Sequence, residues 1–195
     1  MPQDPYEIIA APYDVYIAAV GVAFPLITAA PSGSWTLLGR NGAERYTAEG
    51  VSVKMNQTLE YIRTAKLTGS AKAIRKEEDL MITFTLIDLQ PIYHTYSMAG
   101  TAVTSGSNFN TINLYRGTDV AQFALLIRGD SPLNTSGNAW LAQYEIPRAV
   151  QAASPDIIYS KNGPAGLKHE WHAIADPNAA SDTERYGRYK ARQSA

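Results

Sequence analysis

Two stretches of the chain alternate apolar and polar residues with a period of two. In VSVKMNQTLEYI (51–62), Val51, Val53, Met55, Leu59 and Tyr61 fall on one side with Gln57 among them. Ser52, Lys54, Asn56, Thr58 and Glu60 fall on the other. In DLMITFTLIDL (79–89), Leu80, Ile82, Phe84 and Leu86 point one way and Thr83 and Thr85 the other. This period predicts neighbouring antiparallel strands, each with one buried and one wet face. Val53, Met55, Ile82, Phe84 and Leu86 are expected to pack a core, with Asn56, Thr58, Glu60, Thr83 and Thr85 facing away from it.

Further strands are predicted at YDVYIAAV (13–20), WTLLG (35–39), DVAQFALLIRG (119–129) and NAWLAQYEIP (138–147), with GDSPLNTSGN read as the loop between the last two. Asn162-Gly163 is a hairpin signal between DIIYS and GLKHEWHAIA. One helix is expected over 88–99, with Asp88 as N-cap and Pro91 in the first turn. Leu89, Ile92, Tyr93, Tyr96 and Ala99 form its apolar stripe, and Gly100 terminates it. The fold class that follows is mainly β: an antiparallel β-sandwich or half-barrel with one flanking α-helix. Residues 1–34 read as an N-terminal arm and first strand, 35–177 as the β domain, and 178–195, which lack apolar periodicity, as a mobile C-terminal arm.

Between the two alternating strands lies RTAKLTGSAKAIRKEED (63–79), a charged segment read as a long inter-strand loop. Loops of this length in compact domains are usually functional or disordered. It carries Arg63, Lys66, Lys72, Arg75 and Lys76, with Leu67 and Ile74 as apolar anchors and Gly69 and Ser70 as bending points.

Composition narrows the function. The 195 residues suit one domain with a core of ordinary size, and 45 % are hydrophobic, which excludes wholesale disorder. No cysteine is present, so disulfide staples, cysteine zinc sites and thiol nucleophiles are excluded together. A net charge of −1 is wrong for a protein that coats nucleic acid. Acidic side chains outnumber basic ones over 1–62 and 80–147, and the reverse holds over 63–79 and 148–195. The uncharged run from Val15 to Ala30 is shorter than the ~20 residues of a spanning helix and is interrupted by Gly21 and Pro25. The residues before it are acidic, unlike those of a signal peptide, so it is read as buried strand plus loop.

Catalytic chemistry is not apparent. The chain has no phosphate-cradling glycine loop, no GxSxG and no paired-carboxylate motif. His169 and His172 stand three apart in a strand-like run, where an odd separation sends side chains to opposite faces, so they are not read as a metal pair. His94 is expected on the polar side of the helix with Gln90 and Ser97. No cofactor, metal or enzymatic activity is expected. Tyr186 and Tyr189 lie among Arg185, Arg188, Lys190 and Arg192, a mixture that suits phosphate binding, protein docking or a solvated arm.

From Trp35 to about Leu89 the order of motifs is familiar: WTLLGRNG, then a GV strand with Glu60 toward its end, a long polar segment, and EDLMITFTLIDL leading into a helix. With YEIPRAV (144–150) and HAIADP (172–177), this order resembles the major tail, or tail tube, proteins of long non-contractile-tailed bacteriophages and related gene-transfer particles. The resemblance implies a β-sandwich or half-barrel whose six copies form a ring, one sheet of each joining a continuous inner barrel. Rings stack into a tube around the tape-measure protein, bounded by tail-tip and tail-terminator proteins, through which genomic DNA passes without sequence recognition. It implies a place in the virion tail after assembly in the host cytoplasm. It also implies that the 63–79 segment reaches the adjacent ring, with Arg63, Lys66, Leu67, Lys72, Ile74, Arg75 and Lys76 making the contact. Asn56, Thr58, Glu60, Thr83 and Thr85 would then line the lumen. Tubes of contractile or secretion-type injection machines share this architecture, and a carbohydrate-binding or decoration β-sandwich is the alternative from another class.

Overall fold

The computed structural model describes residues 13–39, 50–66, 68–99, 102–114, 117–133, 139–154, 157, 159, 161 and 163–191. The fold is mainly β, antiparallel, with one short helix, consistent with a β-sandwich. The principal strands are β1 (Tyr13–Ala19), β2 (Thr36–Leu37), β3 (Ser52–Arg63), β4 (Ser70–Leu86), β7 (Gln122–Leu133), β8 (Ala139–Gln151), β9 (Leu167–Ala173) and β10 (Arg188–Ala191). They form one sheet in the order β2-β1-β7-β8-β9-β4-β3, with β10 also on β8. The short strands β5 (Thr104–Ser105) and β6 (Asn110–Thr111) make a separate hairpin.

Strand β8 joins the two halves. Its residues 142–145 pair with β10, and its residues 149–151 pair with β9. Alternate residues of β1, β4, β7, β8 and β9 converge on one core. That core holds Val15, Ile17, Ile82, Phe84, Leu86, Leu125, Ile127, Ile146, Leu167 and Trp171. A second, smaller cluster on the other face packs Trp35 against Ala18, Ala124 and Leu126, with Phe24 beside it. The indole Nε1 of Trp35 donates to the carbonyl of Ala23, tying down the segment after β1. Val15–Ala30 is thus strand plus loop. No helix of the described residues is long and apolar enough to cross a membrane.

Four expectations need correction. Residues 63–79 are not a loop: β3 runs to Arg63 and β4 starts at Ser70, so the connection is 64–69 alone. The charged residues sustain the pairing through cross-strand bonds, which period-two alternation did not reveal because two register shifts break it. The helix is much shorter than 88–99. Pro91–His94 is α-helical, with Gln90 rather than Asp88 as N-cap, and Thr95–Ala99 is a π-helical turn. Asp88 Oδ1 instead accepts from the Gln90 amide. Ser97 is buried, four residues on from buried Tyr93, while Ile92 is 38 % exposed.

The segment 129–133, expected as loop, continues β7. Residues 188–191, expected in a mobile arm, form β10. The predicted Asn162-Gly163 hairpin includes Asn162, which lies outside the described residues, as does the side chain of Trp140.

Candidate assembly surface

The β3–β4 hairpin stands away from the rest of the sheet. Strand β9 pairs with β4 only from Met81 to Leu86, while β3 accompanies β4 down to Ser70. Among the described residues, the segment from Ser70 to Leu80 therefore has β3 as its one ladder partner, and it would extend about 35 Å as a regular strand. Residues 57–63 and 70–77 are exposed on both faces.

The arm keeps its strand geometry through polar pairs across the ladder. Thr58 Oγ1 donates to Glu77 Oε2 at 3.2 Å, and Arg75 Nε donates to Gln57 Oε1 at 3.1 Å. Arg75 also meets Glu78 at 3.1 Å, and Lys76 Nζ lies 3.0 Å from Glu60 Oε2. Exposed pairs of this kind contribute ~0–1 kcal/mol each, so they set register more than they add stability. Thr58 pairs with Glu77 and Leu59 with Arg75, which leaves Lys76 as the extra residue of a β-bulge.

The arm's apolar residues are its most informative feature. Val53, Met55, Leu59 and Tyr61 continue the core face of β3 outward, but the buried cluster around Ile82 and Phe84 reaches along this hairpin only as far as Val53 and Leu80. Met55, predicted in the core, is consequently 56 % exposed, and Tyr61 is 57 % exposed. Ile62 and Ile74 are exposed on the opposite face. Covering such side chains is worth roughly 25 cal/mol per Å², which favours contact with something outside the chain described here. The outer edge of β3 has no ladder partner among the described residues. Unpaired edges of this length pair readily with other strands.

The predicted functional residues divide accordingly. Arg63 ends β3, Lys66 lies in the connection, and Leu67 is outside the described residues. Lys72, Ile74, Arg75 and Lys76 are strand residues on the β4 side of the arm rather than loop residues. Asn56, Thr58, Glu60, Thr83 and Thr85 do share one face of the sheet, opposite the core. That face is not free of basic groups: Lys54 lies on it, and Lys168 is opposite Thr85 with its Nζ 3.3 Å from Glu170. His172 lies there too, 3.0 Å from Asp79 Oδ2 and 3.4 Å from Glu170 Oε1. Pairing holds the Glu170 carboxyl below the usual carboxylate range, chiefly through Lys168.

His169 points to the other face, into the core, as the odd separation from His172 requires. It stacks on Phe84 at 4.9 Å, and burial, with His94 nearby, lowers its pKa to about 3. Among the described residues, no group of three or more His, Cys, Asp or Glu is placed to hold a metal ion.

A polar cluster that the sequence did not reveal lies on the outer face of β7, β8 and β10. Arg128 donates from Nε to Gln143 Oε1 at 3.2 Å and from Nη2 to the Leu26 carbonyl at 3.0 Å. Gln143 Nε2 donates to the Pro25 carbonyl at 3.2 Å and to Glu145. Glu145, 1 % exposed, also accepts from Arg188 and from Lys190. Burial pushes the Glu145 carboxyl up, but the bonds from Lys190, Arg188 and Gln143 together outweigh it and hold it low. In AQYEI the alternation of Gln143 and Glu145 with apolar residues reads as a wet face. The segment after β1 and the C-terminal strand cover it instead.

No family model matches the chain, and no curated protein matches it.

Proposed function

We propose that this chain is the subunit of a bacteriophage tail tube. Six copies would close a ring through their sheet edges, and rings would stack around a tape-measure protein to form the conduit for DNA. The observation that carries this reading is the β3–β4 arm. Its core-side apolar residues Met55, Leu59 and Tyr61 continue a buried face past the last residues of the core cluster, beside a strand edge that has no partner among the described residues. Such a surface fits neighbours that supply both a ladder and a cover. The order of motifs from Trp35 to Pro177 supports the same assignment.

In the assembly, the face bearing Asn56, Thr58, Glu60, Thr83 and Thr85 would line the lumen. Acidic Asp79 and Glu77 on or beside that face would offset Lys54, with Lys168 paired to Glu170 and Lys76 to Glu60, so that passing phosphates meet little net positive charge. The arm would reach the next ring through Arg63, Lys66, Leu67, Lys72, Ile74, Arg75 and Lys76. Tail-tip and tail-terminator proteins would bound the tube, in the virion tail.

Negative-stain microscopy of the purified chain, alone at high concentration and with its tail-tip complex, tests the proposal. Rings or tubes with six subunits per turn are expected. A chain that stays monomeric in both conditions overturns it. Thr85→Arg, which adds a cation to the proposed lumen of every ring, is expected to give normal tails that eject DNA poorly.

A further inference from the structure

Strand β10 is attached by charge more than by apolar burial. The side chains of Arg188 and Lys190 are 43 % and 42 % exposed, and Tyr189 is 49 % exposed. Its ring contact is with Tyr144, centroids 4.7 Å apart. What β10 meets on β8, by contrast, is buried and already organised. Gln143 and Glu145 are almost fully buried, and Arg128 fixes Gln143 while bonding to the backbone of the segment after β1. Glu145 thus presents a carboxylate to this edge, set in place by residues outside β10.

The chain enters the edge at Gly187, whose φ is +138°. A Cβ there would sit 2.6 Å from the Glu145 carbonyl oxygen. Beyond that glycine, the four residues of β10 pair with β8 alone, and neither the bonds between Arg128 and Gln143 nor the strand pairing of β7 with β8 involves them.

We propose that the β8 edge at residues 142–145, centred on Glu145, is an exchangeable strand-acceptor site whose partner is β10 of a second copy of this chain. The occupant known to fit is the sequence Arg188-Tyr189-Lys190-Ala191, and every copy carries it. Exchange of β10 into a neighbour recovers the same ladder and both ion pairs to Glu145, while the third pair, Arg188 with Glu184, lies within the departing chain. Its remaining cost is association, which falls when copies are held at high local concentration. The inference goes beyond the tail-tube reading and does not need it, since any close packing of copies would serve.

The absence of native cysteine makes a disulfide test direct. Ala142 and Ala191 are partnered across β8 and β10, and Ala142 is buried, hence shielded from random oxidation. Full-length Ala142→Cys and full-length Ala191→Cys are mixed at high concentration and oxidised. A mixed disulfide dimer at least tenfold above that of either variant alone is expected. Glu145→Gln in both chains is expected to raise its rate of formation at least fivefold. The double variant in one chain is expected to close internally at low concentration, which checks the geometry.

If the double variant closes but the mixture gives only background dimer, exchange is refuted, even where microscopy shows rings. Failure of the double variant to close also overturns the proposal, because β10 would then not lie on β8. An unchanged rate with Glu145→Gln removes Glu145 as the latch. Should Ala142→Cys fail to fold, Tyr144→Cys with Tyr189→Cys reads the same pairing one step along the strand.

Discussion

Phe84 and His169 stack face to face across β4 and β9, ring centroids 4.9 Å apart and planes within 6°. On its other side the imidazole lies parallel to Trp171, centroids 6.3 Å apart. Neither ring nitrogen has a hydrogen-bond partner among the described residues. A histidine so placed is held neutral, and its environment penalises the proton that it would accept in acid.

The first prediction follows from that penalty. Above about pH 6.5, His169 is neutral in both the folded and the unfolded chain and contributes no slope. Below it, the unfolded chain takes up a proton that the folded chain refuses until about pH 3. Stability should therefore fall on acidification across that window by ~1.4 kcal/mol per pH unit from this group. His169→Phe should flatten that part of the curve. It should also raise stability at neutral pH by about 1 kcal/mol, because an unsatisfied buried polar group is removed. Urea unfolding from pH 7 to pH 4 checks both effects, and an unchanged slope in the variant would refute the assignment.

Gly187 supplies the second prediction. Its φ of +138° and the 2.6 Å approach to the Glu145 carbonyl leave no room for a methyl group against backbone. Gly187→Ala should cost about 1–3 kcal/mol and loosen β10 selectively. Hydrogen exchange is expected to show faster amides at 188–191 while β7 keeps its protection. Equal loss of protection throughout the sheet would show that β10 is not a separable element.

The third concerns the exposed apolar residues of the arm. Met55→Ser combined with Tyr61→Ser should change monomer stability by no more than ~0.5 kcal/mol per site, as expected for surface positions. The same variant should lose ring or tube formation. Light scattering and microscopy read the assembly, and thermal melting reads the fold. Assembly at the native concentration would mean that this face is not covered by a neighbour.

The fourth tests the tip. Replacing residues 66–72 by a short glycine-serine link removes the connection and the first pairs of β4, leaving Lys76–Glu60 and Arg75–Gln57 to hold the register below it. The monomer should remain folded with its melting temperature nearly unchanged, while tubes become short or dissociate at moderate salt. Tubes of normal length and salt resistance would show that the tip does not stack rings.

Where burial follows a simple alternation, the sequence was legible. Ile82, Phe84 and Leu86 lie inside as expected, and Thr83 and Thr85 lie on the opposite face. The opposed histidines of HEWH follow from the same period. The arm was not legible as strand because its pattern is set by ion pairs across a ladder, not by burial on one side. Met55 was misplaced because nothing in 51–62 announces that the core cluster stops at Val53. The Glu145 cluster escaped notice because its cover comes from residues 25–29 and 188–190, more than a hundred residues away in one case and about forty in the other. The helix was overdrawn because a stripe at spacings of three and four does not distinguish an α-helix from a short helix that widens into a π turn.

The bulge at Lys76 gives the arm a grammar of its own. On the core side of the bulge, even-numbered residues of β4 share a face with odd-numbered residues of β3; beyond it, odd goes with odd. Without the bulge, an unbroken ladder running out from Ile82 would carry Ile74 to the side of Leu59 and Tyr61 and gather the arm's grease onto a single flank. Lys76 uses up one step of the alternation and turns Ile74 to the side of Glu60 instead. Losing that one residue would close the bulge and leave every cross-strand partner in place, so the surface that a neighbour would read is set by register and not by length.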